Sequence, residues 1–155
     1  MKLCKPLRSP AQSVLILAAT GALSLISVAV SRLLPGFDLY FQVASAAFLA
    51  LGVALLYRYS FTEFVYVLSD RTLTVRRILG KRDEAVFSVE LCEGMILCRG
   101  KAELKKQGCS GGVSYRQNLS AFSAYIVYEK DSRRLYAEFE PNGAFYALVE
   151  EAMKS

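Results

Sequence analysis

Residues 69–91 read SDRTLTVRRILGKRDEAVFSVEL. Leu73 and Val75 alternate with Thr72, Thr74 and Arg76. Beyond GKRD the same period returns, with Phe87, Val89 and Leu91 alternating with Ser88 and Glu90. A period of two marks strands with one buried face, and a glycine-containing polar tip between two such runs marks a β-hairpin. The tip is basic, carrying Arg76, Arg77, Lys81 and Arg82. Upstream, Phe64, Tyr66 and Leu68 alternate with Val65 and Val67, and Ser69-Asp70-Arg71 supplies a tight turn. An antiparallel sheet therefore begins almost directly after residue 58.

Before residue 58 the pattern is different. VLILAATGALSLISVAV, residues 14–30, carries no charge, and from Ala11 to Leu34 the run reaches the roughly 20 residues a helix needs to cross about 30 Å of hydrocarbon. SRLLPGFD follows, with Pro35-Gly36 as a turn signal. LYFQVASAAFLALGVALLY, residues 39–57, is interrupted only by Gln42, a residue suited to joining helices or meeting headgroups rather than to forming a pore. The pattern predicts a transmembrane α-hairpin over residues 11–58. Ala18, Gly21 and Ser24, and Ala46, Ala50 and Ala54, recur at helical spacing, so they are its expected packing faces and the expected route to a homo-oligomer. Tyr40, Phe41, Tyr57 and Tyr59 fall where an interfacial aromatic belt would lie.

Charge sets the expected orientation. Lys2, Lys5 and Arg8 precede the first span, Arg32 alone lies between the spans, and Arg58, Arg71, Arg76 and Arg77 follow the second. Basic flanks stay inside, so both termini should be cytoplasmic on a multi-pass protein of the cell membrane. Residues 1–10 read as a basic N-terminus and 59–155 as a cytoplasmic domain. The rival reading is a leader cleaved after Ser27-Val28-Ala29, which would place the domain outside and make Asn118-Leu119-Ser120 a usable sequon.

Past the hairpin, residues 94–99 (GMILCR) read as a strand. GKAELKKQGCSGG, residues 100–112, reads as a long mobile loop with a second basic patch at Lys101, Lys105 and Lys106. VSYRQN is a further candidate strand. AYIVYEK and RRLYAEFE form a pair around Lys130-Asp131-Ser132. The period then becomes helical. Asn142 is placed to cap a helix, Phe145, Leu148, Val149 and Ala152 form its apolar stripe, and Glu150 and Glu151 lie on its wet face. The expectation is an α+β, mainly antiparallel domain of about seven short strands, an open sheet or partly open barrel capped by the C-terminal helix.

This arrangement resembles the pleckstrin-homology-like fold. Two spans followed by that domain resemble small bacterial membrane proteins with a PH-like domain. The resemblance rests on Tyr66-Val67-Leu68-Ser69-Asp70-Arg71-x-Leu73-x-Val75, on Gly80-Lys81-Arg82, and on Phe139-Glu140-Pro141-Asn142 leading into the helix. It implies a binding module at the cytoplasmic membrane face. Inositide-binding relatives carry their basic motif between the first two strands, where this chain has only Ser69-Asp70-Arg71.

Composition narrows the function classes. The chain has no histidine, which removes His-dependent triads, His-ligated zinc and the usual near-neutral proton shuttle. Its net charge is +5, but residues 58–155 hold 15 Lys/Arg against 13 Asp/Glu, too slight a bias for a nucleic-acid domain. Cys4, Cys92, Cys98 and Cys109 match neither a metal spacing nor a compact disulfide framework. Cys92 and Cys98 are expected to pack as small apolar residues. No catalytic constellation, cofactor or metal is implied. The sequence points to a non-enzymatic membrane protein. It would bind a protein partner through an exposed strand edge or the 100–112 loop, or alternatively sense anionic lipid through Arg76–Arg82.

Overall fold

The computed structural model describes every residue except Pro35, Ser120 and Ser155. The chain forms two compact units, residues 8–62 and residues 1–7 together with 63–155.

The first unit is a pair of helices, α1 (Pro10–Ser31) and α2 (Asp38–Leu56), each long and apolar enough to cross a membrane. Pro10 opens α1, where a missing N–H costs nothing. A widened π-helical turn at Tyr57–Phe61 extends α2, and Thr62 Oγ1 donates to the Tyr57 carbonyl at 3.0 Å. The seam between the helices is lined by Ile16, Thr20, Ser24, Ser27 and Ser31 from α1, and by Ser45 and Gly52 from α2. Ser24 and Ser45 hydrogen-bond across it at 2.7 Å. The expected small-residue faces are only partly right. Ser24 lies in the seam and Gly21 at its edge, but Ala18, Ala46, Ala50 and Ala54 face outward, and Gln42 is exposed. Serine allows close approach and also supplies a hydrogen bond, whereas alanine supplies only the first. Leu15, Leu17, Leu25, Leu49, Leu51 and Val53 are exposed on the outside of the pair.

The second unit holds eight strands in two sheets. The first sheet has the order β1-β2-β3-β4: β1 (Lys2–Cys4), β2 (Thr62–Ser69), β3 (Thr72–Leu79) and β4 (Arg82–Glu90). The second sheet has the order β5-β7-β8-β6: β5 (Ile96–Arg99), β6 (Gly111–Ser114), β7 (Ala124–Lys130) and β8 (Arg133–Phe139). Helix α4 (Gly143–Lys154) closes the chain. The mainly antiparallel domain of about seven strands is borne out in outline, with two additions. The basic N-terminus contributes a strand, with Leu3 opposite Val67 and Cys4 opposite Tyr66, and β6 pairs parallel with β8. The helical pair is thus inserted in the chain between two adjacent antiparallel strands.

The core lies between the inner faces of the sheets and α4. It contains Tyr66, Leu73, Val75, Ile126, Phe139, Phe145 and Val149. Tyr66 is wholly buried, yet its hydroxyl is satisfied twice, donating to the Tyr115 carbonyl at 2.9 Å and accepting from the Glu140 amide at 3.1 Å. Gln117, also buried, accepts from the Phe64 amide at 3.0 Å. Asn142 caps α4 as expected, its Oδ1 accepting from the Phe145 amide at 2.8 Å. The core face of α4 also takes in Tyr146 and Met153.

Residues 100–112 are not one long loop. Lys101–Lys106 form a short helix, α3, which lays Leu104 on the outer face of the second sheet against Cys98, Tyr125 and Val127. An apolar face that a loop could not cover is what orders this segment. At the β7–β8 turn, Asp131 and Ser132 both have positive φ, 52° and 60°, as a two-residue turn matched to strand twist requires.

Candidate functional site

The basic hairpin tip is a ribbon projecting beyond the core. A register shift after Val75 leaves Val86 as an extra residue on β4, and residues 82–85 are all exposed. Arg76 and Arg77, being consecutive, point to opposite faces of the ribbon, and each is clipped to the other strand. Arg76 grips Asp83 with two contacts, Nε to Oδ1 at 3.0 Å and Nη2 to Oδ2 at 2.9 Å. Arg77 reaches Glu84 at 3.0 Å. Only Lys81 and Arg82, two of the four expected cations, lack an ion-pair partner among the described residues. Lys101, Lys105 and Lys106 are exposed on α3, whose Leu104 faces the sheet. The two basic patches belong to separate elements on different sheets, and the structure does not merge them into one site.

The thiols are scattered. Cys4 and Cys98 are buried, Cys109 is half-buried and Cys92 is exposed, so Cys92 does not pack as expected. Cys92 follows the last core residue of its run, Leu91, in the connection to β5. Among the described residues there is no cluster of three or more Cys, Asp or Glu side chains fit for a metal.

A polar row crosses the second sheet, exposed at its Ser114 end and buried at Glu138 and Tyr125. Ser114, Glu138 and Tyr125 are opposite one another on β6, β8 and β7. Tyr125 Oη donates to Glu138 Oε1 at 2.9 Å, and Arg116 Nη1 stands 3.5 Å from the same oxygen. Glu138 is only 6% exposed. Burial alone would raise its pKa, but the bonds from Ser114 and Tyr125 and the Arg116 charge outweigh it, holding the carboxyl below the usual range. Leu104 of α3 packs against Tyr125 at one end of the row, and the row makes a structural brace.

Open space with mixed chemistry lies elsewhere. Beside β5 runs a groove of about 280 Å³, floored by Met95, Leu97, Tyr146 and Met153 and rimmed by Glu93, Glu150 and Lys154. Lys154 pairs with Glu150 at 2.9 Å and lowers the Glu150 pKa, Arg99 stacks over the Tyr146 ring at 4.5 Å, and Glu93 is the second acid of the rim. The groove adjoins a sheet edge, because β5 pairs with β7 on one side only, and the edge is open short of Arg99, whose amide donates to Glu103 Oε2. The other edges are guarded. β1 is three residues long, β4 is bulged and charged, and β6, although four residues long like β5, begins Gly-Gly and lacks side chains there to hold an added strand. The sequence shows β5 and the helical stripe separately. It has no signal for their adjacency, because periodicity selects a face (Met153, four past Val149, continues the stripe) but not what that face meets, and Tyr146 lies off the stripe.

Comparison with known proteins finds no matching family model, no matching characterised protein and no matching solved structure.

Proposed function

We propose that this chain is a membrane-anchored binding module that takes an extended segment of a partner protein along the β5 edge, beside α4. The single observation that carries the reading is the open β5 edge adjoining an apolar groove. Edge backbone groups supply affinity for an added strand, and a groove beside them reads alternate side chains. The groove favours a segment with one apolar side chain for Met95, Tyr146 and Met153 and a cation near Glu93.

The membrane part of the reading is supported by two long apolar helices whose outward side chains are leucine, valine and alanine. Two spans return the chain to the side it left, as the pairing of β1 with β2 requires. A leader cleaved after residue 29 would remove β1 and the core residue Cys4, which counts against that alternative. Lys2, Lys5, Arg8 and Arg58 around the spans favour a cytoplasmic domain and termini. Two sheets closed by a C-terminal helix support the PH-like reading, and the module works by binding rather than catalysis. The alternative, an anionic-lipid sensor at Arg76–Arg82, draws support from Lys81 and Arg82 alone, since Asp83 and Glu84 neutralise the other two.

The test is hydrogen exchange on the full chain in nanodiscs, with peptides selected from a random library. Slower exchange at Ile96–Arg99 with a bound peptide, lost in a Glu93→Arg variant for basic peptides, is the expected result. A library that yields binders protecting only other segments, or vesicle binding that depends on Lys81 and Arg82, would remove the β5 reading.

A further inference from the structure

Leu7 and Phe122 are large apolar side chains left in the open, 90% and 51% exposed. They line one cavity of about 320 Å³, mostly apolar through Cys4, Pro6, Ala121 and Pro141, with Lys5, Glu140 and Asn142 also on its wall. Exposed apolar residues scattered singly need no explanation, but a concave apolar patch does.

The patch is held in place. Asn118 Nδ2 donates to the Leu7 carbonyl at 2.8 Å and to Glu140 Oε1 at 2.7 Å, while Glu140 Oε2 accepts from the Asn118 and Gln117 amides at 2.8 and 3.1 Å. Phe122 stacks edge-on against Tyr146, with ring centroids 6.1 Å apart. Leu7 is therefore fixed to the end of β8 and to the segment carrying Phe122. Lys5, just before it, is paired to Glu63 at 2.7 Å.

Chain length then constrains where this patch goes. Helix α1 begins at Pro10, three residues after Leu7. Three residues reach at most about 11 Å. An apolar lip on so short a tether to the first turn of a spanning helix meets the headgroup region. Leucine, phenylalanine and flanking cations (here Lys5 and Arg8) are the composition that such a position favours.

We propose that Leu7 and Phe122 form an interfacial anchor that inserts into the bilayer surface, with lipid acyl chain covering the cavity between them. The anchor rests on the membrane reading given above. It adds a third attachment and fixes how the sheet unit is presented to a partner.

The chain contains no tryptophan, so a single Trp is a clean reporter. The full chain would be reconstituted in phosphatidylcholine–phosphatidylglycerol vesicles with lipids brominated near the glycerol end of the acyl chains. Phe122→Trp and Leu7→Trp are the reporters, two so that one folding failure does not decide the matter. Lys130→Trp, at the far end of β7, is the water control, and Leu49→Trp, within α2, is the membrane control. The expected result is blue-shifted emission at both reporters and several-fold more quenching than at Lys130→Trp. Quenching of Leu49→Trp without quenching of either reporter overturns the anchor and leaves the membrane reading standing. No quenching of Leu49→Trp overturns the membrane reading and the anchor with it. A blue-shifted but unquenched reporter means that protein, not lipid, covers the patch, and also overturns the proposal.

Discussion

Tyr125 and Glu138 stand opposite each other on β7 and β8, and the phenol donates to the carboxylate at 2.9 Å inside the sheet. Burial, then this bond, pushes the Tyr125 pKa up to about 12, while Glu138 is held below its ordinary value. The signs follow from linkage. A depressed carboxyl gives stability that is complete above the unfolded value near 4.5 and is lost as pH falls through the folded one. A raised phenol gives stability that is complete below 10 and is lost as pH rises towards about 12. Tyr125→Phe should cost about 1.5 kcal/mol at neutral pH, the scale of a hydrogen bond to a charged group. It should also soften the alkaline loss without abolishing it, because burial raises Tyr115 and Tyr128 as well. Thermal melts of the full chain across pH would check this. An alkaline arm unchanged in the variant would show that Tyr125 does not carry it.

Thiol chemistry gives a second expectation. Burial pushes the Cys4 and Cys98 thiols up, so both the thiolate fraction and access are low there. Cys92 is exposed and Cys109 half-buried. A disulfide reagent should modify Cys92 first, Cys109 more slowly, and Cys4 and Cys98 only on unfolding. Cys92→Ser should delete the fast phase. If the fast phase persisted, Cys109 or a buried cysteine would be carrying it, and the packing of α3 or β1 would be in question.

The runs at 72–91 were legible because β3 and β4 each alternate apolar with polar residues, whereas β2 is buried on both faces, Val65 and Val67 included, so the one-buried-face reading of 64–68 is corrected there. The two helices were legible from length and the absence of charge, and α4 from its stripe and the Asn142 cap. What periodicity could not give is which partners meet. β1 is three residues, too short to show a period, and its partner lies beyond two intervening helices. The α1–α2 seam was assigned to Ala18, Gly21 and Ser24 and to Ala46, Ala50 and Ala54, of which Ser24 lies in it and the alanines do not, because composition cannot tell a small residue facing a neighbour from one facing outward. The basic tip was legible as charge, but its neutralisation depended on cross-strand register. Arg77 meets Glu84 directly, and Arg76 reaches Asp83 diagonally around the bulge. The β5 groove depends on Tyr146, off the stripe, and on Met153 meeting β5, so its chemistry was invisible until the elements were placed.

Register also predicts an asymmetry between neighbouring glycines. A Cβ at Gly112 would run into the carbonyl oxygen and ring of Tyr136, whereas at Gly111 the nearest atom is Leu135 Cδ2 at 3.9 Å, an ordinary contact. Gly112→Ala must push back a backbone oxygen and should cost about 1–3 kcal/mol, the range of overpacked sites. Gly111→Ala should fall within about 0.5 kcal/mol of wild type, as is usual away from such contacts. Unfolding midpoints of the two variants measured side by side would check this. Equal midpoints would mean that β6 does not lie in parallel register against β8.

The helical pair allows the same kind of test. A Cβ at Gly52 would lie 2.6 Å from Thr20 Oγ1 and 3.1 Å from Thr20 Cβ, so the helices touch there. Thr20 cannot simply turn away at no cost, since its hydroxyl is bonded to the Ile16 carbonyl at 2.7 Å. One face-spacing along, Ser24 and Ser45 oxygens are 2.7 Å apart. In a chain whose native cysteines are replaced by serine, Ser24→Cys with Ser45→Cys should therefore cross-link rapidly under mild oxidation. Adding Gly52→Leu should slow that cross-link several-fold by wedging the seam open. Adding Ala50→Leu, on the outward face, should leave it unchanged. The reverse order of effects would return the contact to the alanine face and would displace Thr20, Ser24, Ser45 and Gly52 from the seam.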